Sequence, residues 1–580
     1  MDPNDTSTGN SGDKKDNVYK MKFGAKRPGK SRKGAAAGSF KQWLSDMQRN
    51  LDARDGQRKG LNVFLILIIT LVIMFIFYFF TLPAINLRAA EFYTFLIIAI
   101  VVFNALNLFF GNLRIFRTIK YSVFLVIALL VIPALGNFFA QPLFRAKAYS
   151  RLITVEDASF ADTVEEISYD KVPIVDRDAA AIIGDRQMGS VEEVVSQFDI
   201  NDNYAQINVK SVPMRVSPLA YSDLVRYVIN AKNGIPYYVS VDMATQDAEL
   251  VDLEKPLFYS KSDLLMRNIH RHVRFQFPFL LFGETNFEVN DQEEGFYVTS
   301  VLTKRIGFFG GTDIMGGVVT DANTGESTYY DIEDIPMWVD RVQPSEIIIN
   351  QLDYRGMYGG GFFNSVIGQR NVTRTTAGYN YVPLNDDIYL FTGVTSIRGD
   401  ASNLGFYFVN MRTKEAKFFS VPSADEVSAM QSAAGQVQEK NYQPTFPILL
   451  NIKNRPTYLI GLKDNSGLAK MFALVDAENY QTVIAGDSVL QIMNELNMRT
   501  DTTGQPNQDS LEKTITIQEI QSVVVDGNTL YYIRAEGDEL IYTGTAKELG
   551  GAIVFLKIGD SITVFGNETI GMFDILEIRE

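Results

Sequence analysis

The sequence contains no cysteine and only two histidines in 580 residues. Without cysteine there are no disulfides, no thiolate ligands for zinc and no cysteine nucleophile. A secreted animal protein of this size usually carries disulfides. An exported domain without them is therefore more typical of a bacterium with a single membrane, although a eukaryotic origin stays open.

Both histidines, His270 and His272, lie in the stretch "RNIHRHVRF". The surrounding pattern predicts a helix with Ser262 or Asp263 as its N-cap. Side chains two residues apart on a helix point about 200° apart and cannot share a metal ion. We therefore expect a structural or surface role for this pair.

Sequence signals for catalysis are also missing. There is no Gly-x-Ser-x-Gly, and the glycine clusters lack the Gly-Lys-Ser/Thr ending of a phosphate-binding loop. "DINDNY", from Asp199, lacks the glycine and distal glutamate of a calcium loop. Adjacent carboxylates at Glu293–Glu294, Glu333–Asp334 and Asp386–Asp387 face opposite ways on a strand. The sequence thus predicts no catalytic, cofactor-binding or metal-binding residue.

Two glycine clusters are mixed with aromatic residues, at Gly307–Gly317 ("GFFGGTDIMGG") and Gly356–Asn364 ("GMYGGGFFN"). One interpretation is a glycine-rich connection near the membrane surface. The alternative is an aromatic loop that dips into the bilayer or grips an apolar partner.

Three long apolar runs predict three transmembrane helices. They are Leu61–Leu87, Phe92–Phe110 and Ser122–Phe139, each close to or above the roughly 20 residues that cross a bilayer. Basic residues dominate the N-terminal segment and the second connecting loop but not the first loop. This distribution predicts a cytoplasmic N-terminus and an extracytoplasmic C-terminal domain in the plasma membrane.

The predicted extracytoplasmic region, residues 141–580, has 60 acidic and 36 basic residues. Such an excess of negative charge disfavours nucleic acid as a partner and favours cationic polymers, peptides or divalent cations. The N-terminal 38 residues are basic and polar, typical of a disordered cytoplasmic tail. Their basic patch is either a topology determinant with attraction to lipid or a binding site for a partner. Residues 39–60 fit an amphipathic juxtamembrane helix.

A weak internal repeat runs through this region. Strand pairs around turns recur at Gly316–Ile332, Gly405–Val421 and Lys470–Gly486, and each comes after another strand-like run. Helix signals come after the last two, with capping by Ser423 and Glu426 and by Asp487 or Ser488. An earlier helix and hairpin lie within Ser222–Leu253. We predict a meander-and-helix α+β fold in which helices cover antiparallel sheets.

The last segment predicts a small β-barrel of OB type, with five strands and a helix before the fourth. The full organisation is then given by seven ranges: tail 1–38, juxtamembrane helix 39–60, spans 61–140, first α+β part 141–343, second α+β part 344–499, linker 500–513 and barrel 514–580.

Three stretches carry a resemblance: Val409–Gln481, which begins "VNMRTKEAKFFSVPSADEV", together with "DIPMWVDRVQP" and "AGYNYV". They resemble uncharacterised membrane-anchored envelope proteins of Gram-positive, clostridial-type bacteria. The resemblance covers most of the ectodomain and brings no activity or site residue with it. The hairpin-and-helix pattern is also similar to PepSY-type modules, which implies binding or restraint of other envelope proteins.

From these observations we expect a non-enzymatic cell-envelope protein that binds or scaffolds other envelope components. It would act within the lipid bilayer, in a membrane complex or homo-oligomer, without a cofactor and without nucleic acid. One alternative is an envelope peptidase or wall hydrolase of serine–lysine type, which leaves almost no local signature. The other is a sensor or transport accessory subunit.

Overall fold

The computed structural model describes residues 63–110, 115–166, 171–201, 203–384, 386–398, 402–501, 511–525, 528–538, 540–545, 553, 556–569 and 572–579. The predicted tail, the juxtamembrane helix and most of the predicted linker lie outside these residues. The chain divides into two compact units, one of residues 1–76 with 97–127 and one of residues 77–96 with 128–580.

Three helices are long and apolar enough to cross a membrane, which confirms the prediction of three spans. They are α1 (Val63–Thr81), α2 (Ala90–Phe109) and α3 (Ile115–Ala140), with the apolar part of α3 beginning at Ile119. Within the first compact unit, Asn104 donates to Ser122 Oγ at 2.8 Å, a side-chain hydrogen bond between α2 and α3.

A β-rich region comes after the spans. Its helices are α4 (Pro142–Tyr149), α5 (Phe160–Thr163), α6 (Arg177–Gly189), α7 (Glu192–Val195), α8 (Leu224–Asn230), α9 (Ile269–Gln276), α10 (Ser345–Tyr358), α11 (Glu426–Gln436) and α12 (Val489–Asp501). Its first strands are β1 (Glu156–Ala158), β2 (Phe198–Ile200), β3 (Ala205–Val209), β4 (Val212–Tyr221), β5 (Ile235–Asp242), β6 (Ala248–Leu257), β7 (Leu281–Val289), β8 (Gly295–Ile306), β9 (Gly310–Asp321) and β10 (Ser327–Asp331). The middle strands are β11 (Thr373–Thr375), β12 (Asn380–Leu384), β13 (Asp387–Ser396), β14 (Ser402–Asn403), β15 (Gly405–Asn410), β16 (Ala416–Phe419) and β17 (Ser423–Ala424). The last strands are β18 (Gln443–Pro444), β19 (Ile448–Ile452), β20 (Arg455–Lys463), β21 (Ala469–Asp476), β22 (Val483–Gly486), β23 (Leu511–Val525), β24 (Asn528–Ala535), β25 (Ile541–Thr545), β26 (Ser561–Thr569) and β27 (Met572–Arg579).

The described residues contain a four-stranded antiparallel meander that occurs four times. Repeat 1 is β3–β6, repeat 2 is β7–β10, repeat 3 is β12, β13, β15 and β16, and repeat 4 is β19–β22. In each repeat, consecutive strands pair in antiparallel register. The strand pairs that the sequence predicted are the last two strands of repeats 2, 3 and 4.

The same turn chemistry closes all four repeats. At the end of the third strand, one carboxylate or amide oxygen accepts hydrogen bonds from the backbone N–H groups two and three residues further on, as in an Asx turn. The residues that do this are Asp242, Asp321, Asn410 and Asp476. In the first three repeats, the residue four positions later has a positive φ, at Gln246, Gly325 and Lys414.

Each meander has a helix before it, whereas the predicted unit placed the covering helix after the meander; that prediction is confirmed for α12, which comes after repeat 4 and packs on β21 and β22. α6, α9, α10 and α11 precede repeats 1 to 4 respectively. α11 packs on β20–β22, which come later in the chain, and Ile348 and Leu352 of α10 join the core with strands of repeat 3. In a tandem array every helix lies between two meanders in sequence, so the pattern alone cannot tell which sheet it covers. Repeat 4 also has α12 behind it.

Of the two caps predicted for α11 and α12, the structure confirms one. α11 begins after Asp425, whose carboxylate accepts from the N–H of Ser428 at 2.8 Å, so the predicted cap at Ser423 is wrong. Ser423 instead pairs in the short strand β17. At α12 the predicted cap is present, because Ser488 Oγ accepts from the N–H of Gln491.

Two large cores hold the repeats together in pairs. One buries side chains from repeats 1 and 2, including Val239 and Tyr297. The other buries side chains from repeats 3 and 4, including Phe391 and Ile460. Sharing a core explains how sheets of a few short strands can be stable, since one such sheet buries only one face by itself.

The C-terminal strands form a closed five-stranded barrel in the order β23-β24-β25-β27-β26. β23 is long enough to pair with β24 through one half and with β26 through the other, which closes the barrel. β25 and β27 run parallel. Ile517, Tyr542 and Phe573 are fully buried inside it. The predicted helix before the fourth barrel strand lies outside the described residues.

Candidate functional site

The histidine segment forms the helix of repeat 2, but that helix begins later than predicted. α9 begins at Ile269 with Asn268 as its N-cap, whose side chain accepts from the N–H of Arg271. Leu265 has a positive φ of 50°, which breaks any helix that Asp263 could start. Asp263 is buried and accepts a hydrogen bond from the Ser260 hydroxyl at 2.6 Å. The predicted cap at Ser262 or Asp263 is therefore wrong.

The two histidines have different surroundings. His272 Nε2 lies 2.6 Å from the carbonyl oxygen of Gly325 in the turn of repeat 2, and its ring lies 4.4 Å from that of Tyr259. His270 is exposed. In the described residues no three His, Cys, Asp or Glu side chains lie close enough to hold a metal ion. His272 therefore fastens the helix of repeat 2 to the turn of the same repeat.

Arg271 and Phe275 of α9 contact the end of the first span. Arg271 Nε donates to the carbonyl oxygen of Phe79 at 3.0 Å, and its guanidinium lies 4.2 Å from the centre of the Phe79 ring. Phe275 packs against the rings of Tyr78 and Phe79. Hydrogen bonds to a span's last carbonyls satisfy acceptors that the helix end leaves without a partner. This role was not predicted from the sequence, because the contact joins residues almost 200 positions apart.

The connection between the first two spans is held in the same way. The N–H of Ile85 donates to the carbonyl of Pro278 at 2.8 Å, and the amide of Asn86 donates to that of Phe279 at 2.8 Å. Arg88 donates to Thr303 Oγ1 and to the carbonyl of Lys304. The junction is defined as residues 77–96 and 128–149 together with the side chains of the β-rich region that contact them.

Arg274 is a buried cation at the junction, 6% exposed. It donates to the carbonyl of Leu280 at 2.6 Å and stacks at 4.4 Å on the ring of Phe282. Burial lowers the pKa of its guanidinium, and Tyr78 and Glu91 partly offset this. A buried cation without a nearby ion pair costs free energy that the hydrogen bond and the ring only partly recover.

The first glycine cluster is mostly strand. Only residues 307–309 form the connection, between β8 and β9. Phe309 packs against Tyr93 of α2 and lies so close to Gly136 of α3 that a Cβ there would approach its ring to 2.8 Å. Gly307 has a φ of 61°, which few other residues adopt. This hairpin therefore inserts an aromatic ring between the ends of two spans.

The second glycine cluster lies at the contact between α10 and α4, another part of the junction. Tyr354 and Tyr358 of α10 pack on Tyr149 of α4, which comes directly after the third span. Beyond the glycines, Phe363 and Ile367 are 70% and 78% exposed. Residues 307–309 are a connection, as the first interpretation has it, whereas an aromatic loop that enters the bilayer or grips an apolar partner stays a prediction.

A cavity of about 550 Å³ lies at the junction, entirely within the second compact unit. Its polar lining comes from Arg88, Glu91, Asn137 and Lys304. Its apolar lining comes from Ala89, Ala90, Pro133, Ala134, Leu281, Phe282, Leu302 and Phe309. This volume is in the range of small-molecule sites. It is the candidate functional site.

The cavity lining combines charged and apolar side chains, as a binding site for an amphiphilic molecule would. Burial lowers the pKa of Lys304, Glu91 partly offsets this, and the ammonium donates to Thr312 Oγ1 at 2.7 Å. Two cations and one carboxylate line the cavity beside aromatic and aliphatic side chains. Such a lining can pair with an anionic group and cover an apolar chain. The lining contains a lysine but no serine.

Two of the adjacent carboxylate pairs noted in the sequence serve to join repeats. Glu293 and Glu294 pair with Lys210 and Lys255 of repeat 1. Asp386 accepts from the N–H and hydroxyl of Ser211. These ion pairs and hydrogen bonds link repeat 1 to repeats 2 and 3.

A buried carboxylate pair between repeats 1 and 2 was not predicted from the sequence. Glu288 accepts from the N–H groups of Asp340 and Arg341, and Asp340 accepts from the N–H of Asn208 at 2.6 Å. Burial raises the pKa of Glu288 to about 7, and burial together with Glu288 raises the pKa of Asp340. The two residues are 52 positions apart, so no local pattern connects them.

Comparisons with known proteins assign this chain to no family. No protein-family model matches it, and no curated protein matches it. One solved structure, a levansucrase mutant from B. megaterium, is similar over 71% of this chain and 97% of that one, at 10% identity and a TM-score of 0.16. A score this low carries no information about fold or activity.

Proposed function

We propose that this protein is a non-enzymatic cell-envelope membrane protein whose acidic extracytoplasmic domain binds or scaffolds other envelope components. The observation that carries the proposal is the junction cavity, where charged and apolar side chains of two spans and repeat 2 converge. A lining of this kind suits a molecule of the membrane surface with an anionic head and an apolar tail. The repeats would present the remaining surface to protein partners.

Two finer assignments support a binding role and belong to the same proposal. The barrel order, with β23 pairing β26 and parallel β25 and β27, is that expected of an OB-type barrel. We also propose that the repeats are PepSY-like modules, a proposal supported by the hairpin-and-helix pattern of the sequence alone. Both kinds of module are built for contact with other molecules, although fold alone gives no function.

Partner capture tests the scaffold role. The full-length chain with a C-terminal tag would be crosslinked mildly in native membranes, purified and analysed by mass spectrometry, beside an unrelated tagged three-span protein. We expect a reproducible set of envelope proteins at near-stoichiometric yield. Turnover of a wall or peptide substrate by the purified protein, abolished by one substitution, would contradict the non-enzymatic role.

Lipid retention tests the cavity. The protein would be released from bilayers of defined composition in a mass spectrometer, and bound lipid would be counted. Exchanging Arg88 and Lys304 together for alanine removes both cations and should abolish retention of anionic lipid. The matched control exchanges Lys210 and Lys255, two exposed lysines in ion pairs elsewhere, and should retain it.

A sensor or transport accessory role is the second candidate. It is favoured by the fastening of the β-rich region to the span ends through Arg271, Asn86 and Arg88. Cavity occupancy would then change the separation of α2 and α3. Spin labels at the exposed positions Ala90 and Ala134 would measure this distance with and without anionic lipid, and an unchanged distance would exclude the role.

A further inference from the structure

Helix α8 of repeat 1 turns its apolar side outward. Leu224, Val225, Val228 and Ile229 are each between 59% and 67% exposed. At about 100° per residue they occupy an arc of roughly 140°. The opposite side holds Tyr227 against Tyr221, at 5.1 Å between ring centres, and Asn230, which donates to Gln197. A surface helix ordinarily buries its apolar side, so α8 has the reverse arrangement.

A neighbouring turn extends this surface. Leu264, Leu265 and Met266 are exposed apolar residues just before α9. Arg267, the next residue, donates to the carbonyl of Ala231 directly after α8 at 2.5 Å. We define the apolar patch as Leu224, Val225, Val228, Ile229, Leu264, Leu265 and Met266.

The apolar patch lies beside the end of the first span. Arg271 donates one hydrogen bond to the carbonyl of Leu265 and another to that of Phe79. Phe79 is in the last turn of α1, which ends at Thr81. One guanidinium therefore touches both the patch and the span end. The end of an apolar helix marks the membrane surface, so the patch is continuous with a surface that already meets lipid.

The local charge has the sign that suits this position. Residues 223–232 and 263–276 contain Arg226, Lys232, Arg267, Arg271 and Arg274 against two aspartates, Asp223, which pairs with Arg226, and the buried Asp263. The rest of the β-rich region is strongly acidic. Exposed apolar side chains with basic residues around them are the pattern of helices that lie in the interface of an anionic membrane.

We propose that the apolar patch inserts into the leaflet at the Phe79 end of the first span. α8 lies in the boundary between headgroups and acyl chains, with Arg226, Lys232 and Arg267 at the level of the phosphates. The protein then meets the bilayer through this monotopic surface as well as through its spans, and the patch sets the tilt of repeats 1 and 2 on the membrane.

The absence of cysteine makes the test direct, because a single introduced cysteine has no background labelling. Val228→Cys and Leu265→Cys would be made in the full-length chain, labelled with an environment-sensitive fluorophore and reconstituted in vesicles of phosphatidylcholine and phosphatidylglycerol. Val427→Cys, an exposed apolar position on α11, is the matched control. Each label is then quenched by lipids with a shallow spin label and, separately, by aqueous iodide.

The expected result is quenching by spin-labelled lipid at positions 228 and 265 that exceeds the control about threefold or more, with correspondingly weaker iodide quenching. Iodide quenching equal to that of the control would overturn the proposal, since the patch would then face water. Protection from both quenchers would also overturn it, because a protein partner or a second copy would then cover the patch. Each labelled chain also carries Trp43→Phe, so that unchanged fluorescence of Trp338 establishes that repeat 2 is folded.

Discussion

Helices α9 and α11 occupy the same place in repeats 2 and 4. Comparing them shows which side chains allow repeat 2 to contact the spans. Each precedes its sheet, and each has an N-cap side chain that accepts from the N–H three residues later, Asn268 from Arg271 and Asp425 from Ser428. Arg271 and Ser428 are therefore equivalent positions. Only the first reaches a span.

The residue directly after the N-cap also differs between the two helices. Ile269 in α9 is fully buried in the core shared by repeats 1 and 2. Glu426 in α11 is also buried, and its carboxylate accepts from the N–H of Gly393 at 2.8 Å. Ala429 and Ala433 then let α11 lie close on its sheet. The repeat fixes the backbone and its cap, while single side chains decide what the helix faces.

The largest expected effect comes from removing the buried anchor of α9. Ile269→Ala leaves a cavity in a closed core and should lower the stability of repeat 2 by about 2–4 kcal/mol. Ile269→Val, which removes one methylene, should cost about 1 kcal/mol. The measurement is thermal unfolding followed by Trp338 fluorescence in a Trp43→Phe chain, since these are the two tryptophans. Trp338 packs on Phe296 of repeat 2.

The next effect depends on pH and concerns Asp263, in the segment that precedes α9 of repeat 2. Burial raises the pKa of Asp263 to about 6 from an ordinary value of 3.8, although the Ser260 hydroxyl partly lowers it. The folded protein then holds a proton more tightly than the unfolded chain. Its stability rises as pH falls from about 6 towards 4, and ionisation at higher pH costs about 3 kcal/mol.

Asp263→Asn should remove this dependence, because the amide oxygen can still accept from Ser260 and cannot ionise. The difference between the unfolding temperatures of variant and native chains should be largest at pH 8 and small at pH 4. An equal difference at both values would contradict this prediction, because it would show that the pKa of Asp263 is the same in the folded and unfolded chains.

Arg271→Ala removes the side chain that distinguishes α9 from α11. It removes two hydrogen bonds to carbonyls and the contact with the Phe79 ring, and should cost about 1–3 kcal/mol. Ser428→Ala, the equivalent change in α11, should cost under about 0.5 kcal/mol, as most surface substitutions do. Hydrogen exchange of residues 77–96 provides the specific measurement: exchange should become faster in the Arg271 variant and stay unchanged in the Ser428 variant.

The smallest expected effect tests the shared feature. Asn268→Ala and Asp425→Ala each remove an N-cap and should cost about 1 kcal/mol. The Asn268 change should cost somewhat more, because its amide also donates to the carbonyl of Lys261 at 2.9 Å. Denaturant midpoints of both variants would show whether the caps are equivalent. If Asp425→Ala lowered stability more than Asn268→Ala, the second hydrogen bond of Asn268 would contribute nothing to stability.

Part of the repeat could be predicted from the sequence because it depends on neighbouring residues. Strand alternation and turn residues predicted the hairpins, and the cap at Ser488 was also correct. The other caps failed for local geometric reasons: the positive φ at Leu265 breaks the helix predicted from Asp263, and Ser423 is engaged in β17. The predicted order was wrong for α11, which packs on the sheet that comes after it, because a tandem pattern does not show which neighbouring sheet a helix covers; it was correct for α12, which covers the sheet before it.

The candidate site could not be predicted at all. Its lining joins Arg88, Asn137 and Lys304, which come from three separate parts of the chain. Arg271 is just as distant in sequence from Phe79. No composition or spacing signal connects such residues, because their meeting depends on how the repeats pack at the span ends.

The sequence by itself determined the three spans, the excess of acidic residues after them and the local pattern of strands and turns. Those properties depend on side-chain hydrophobicity, charge and backbone preference, which act over a few neighbouring residues. The tertiary structure decided that α10 and α11 cover the sheets that come after them, that repeats share cores in pairs and that the histidine segment binds a span end. These features depend on which apolar faces meet and exclude water, and that free energy belongs to the packed whole.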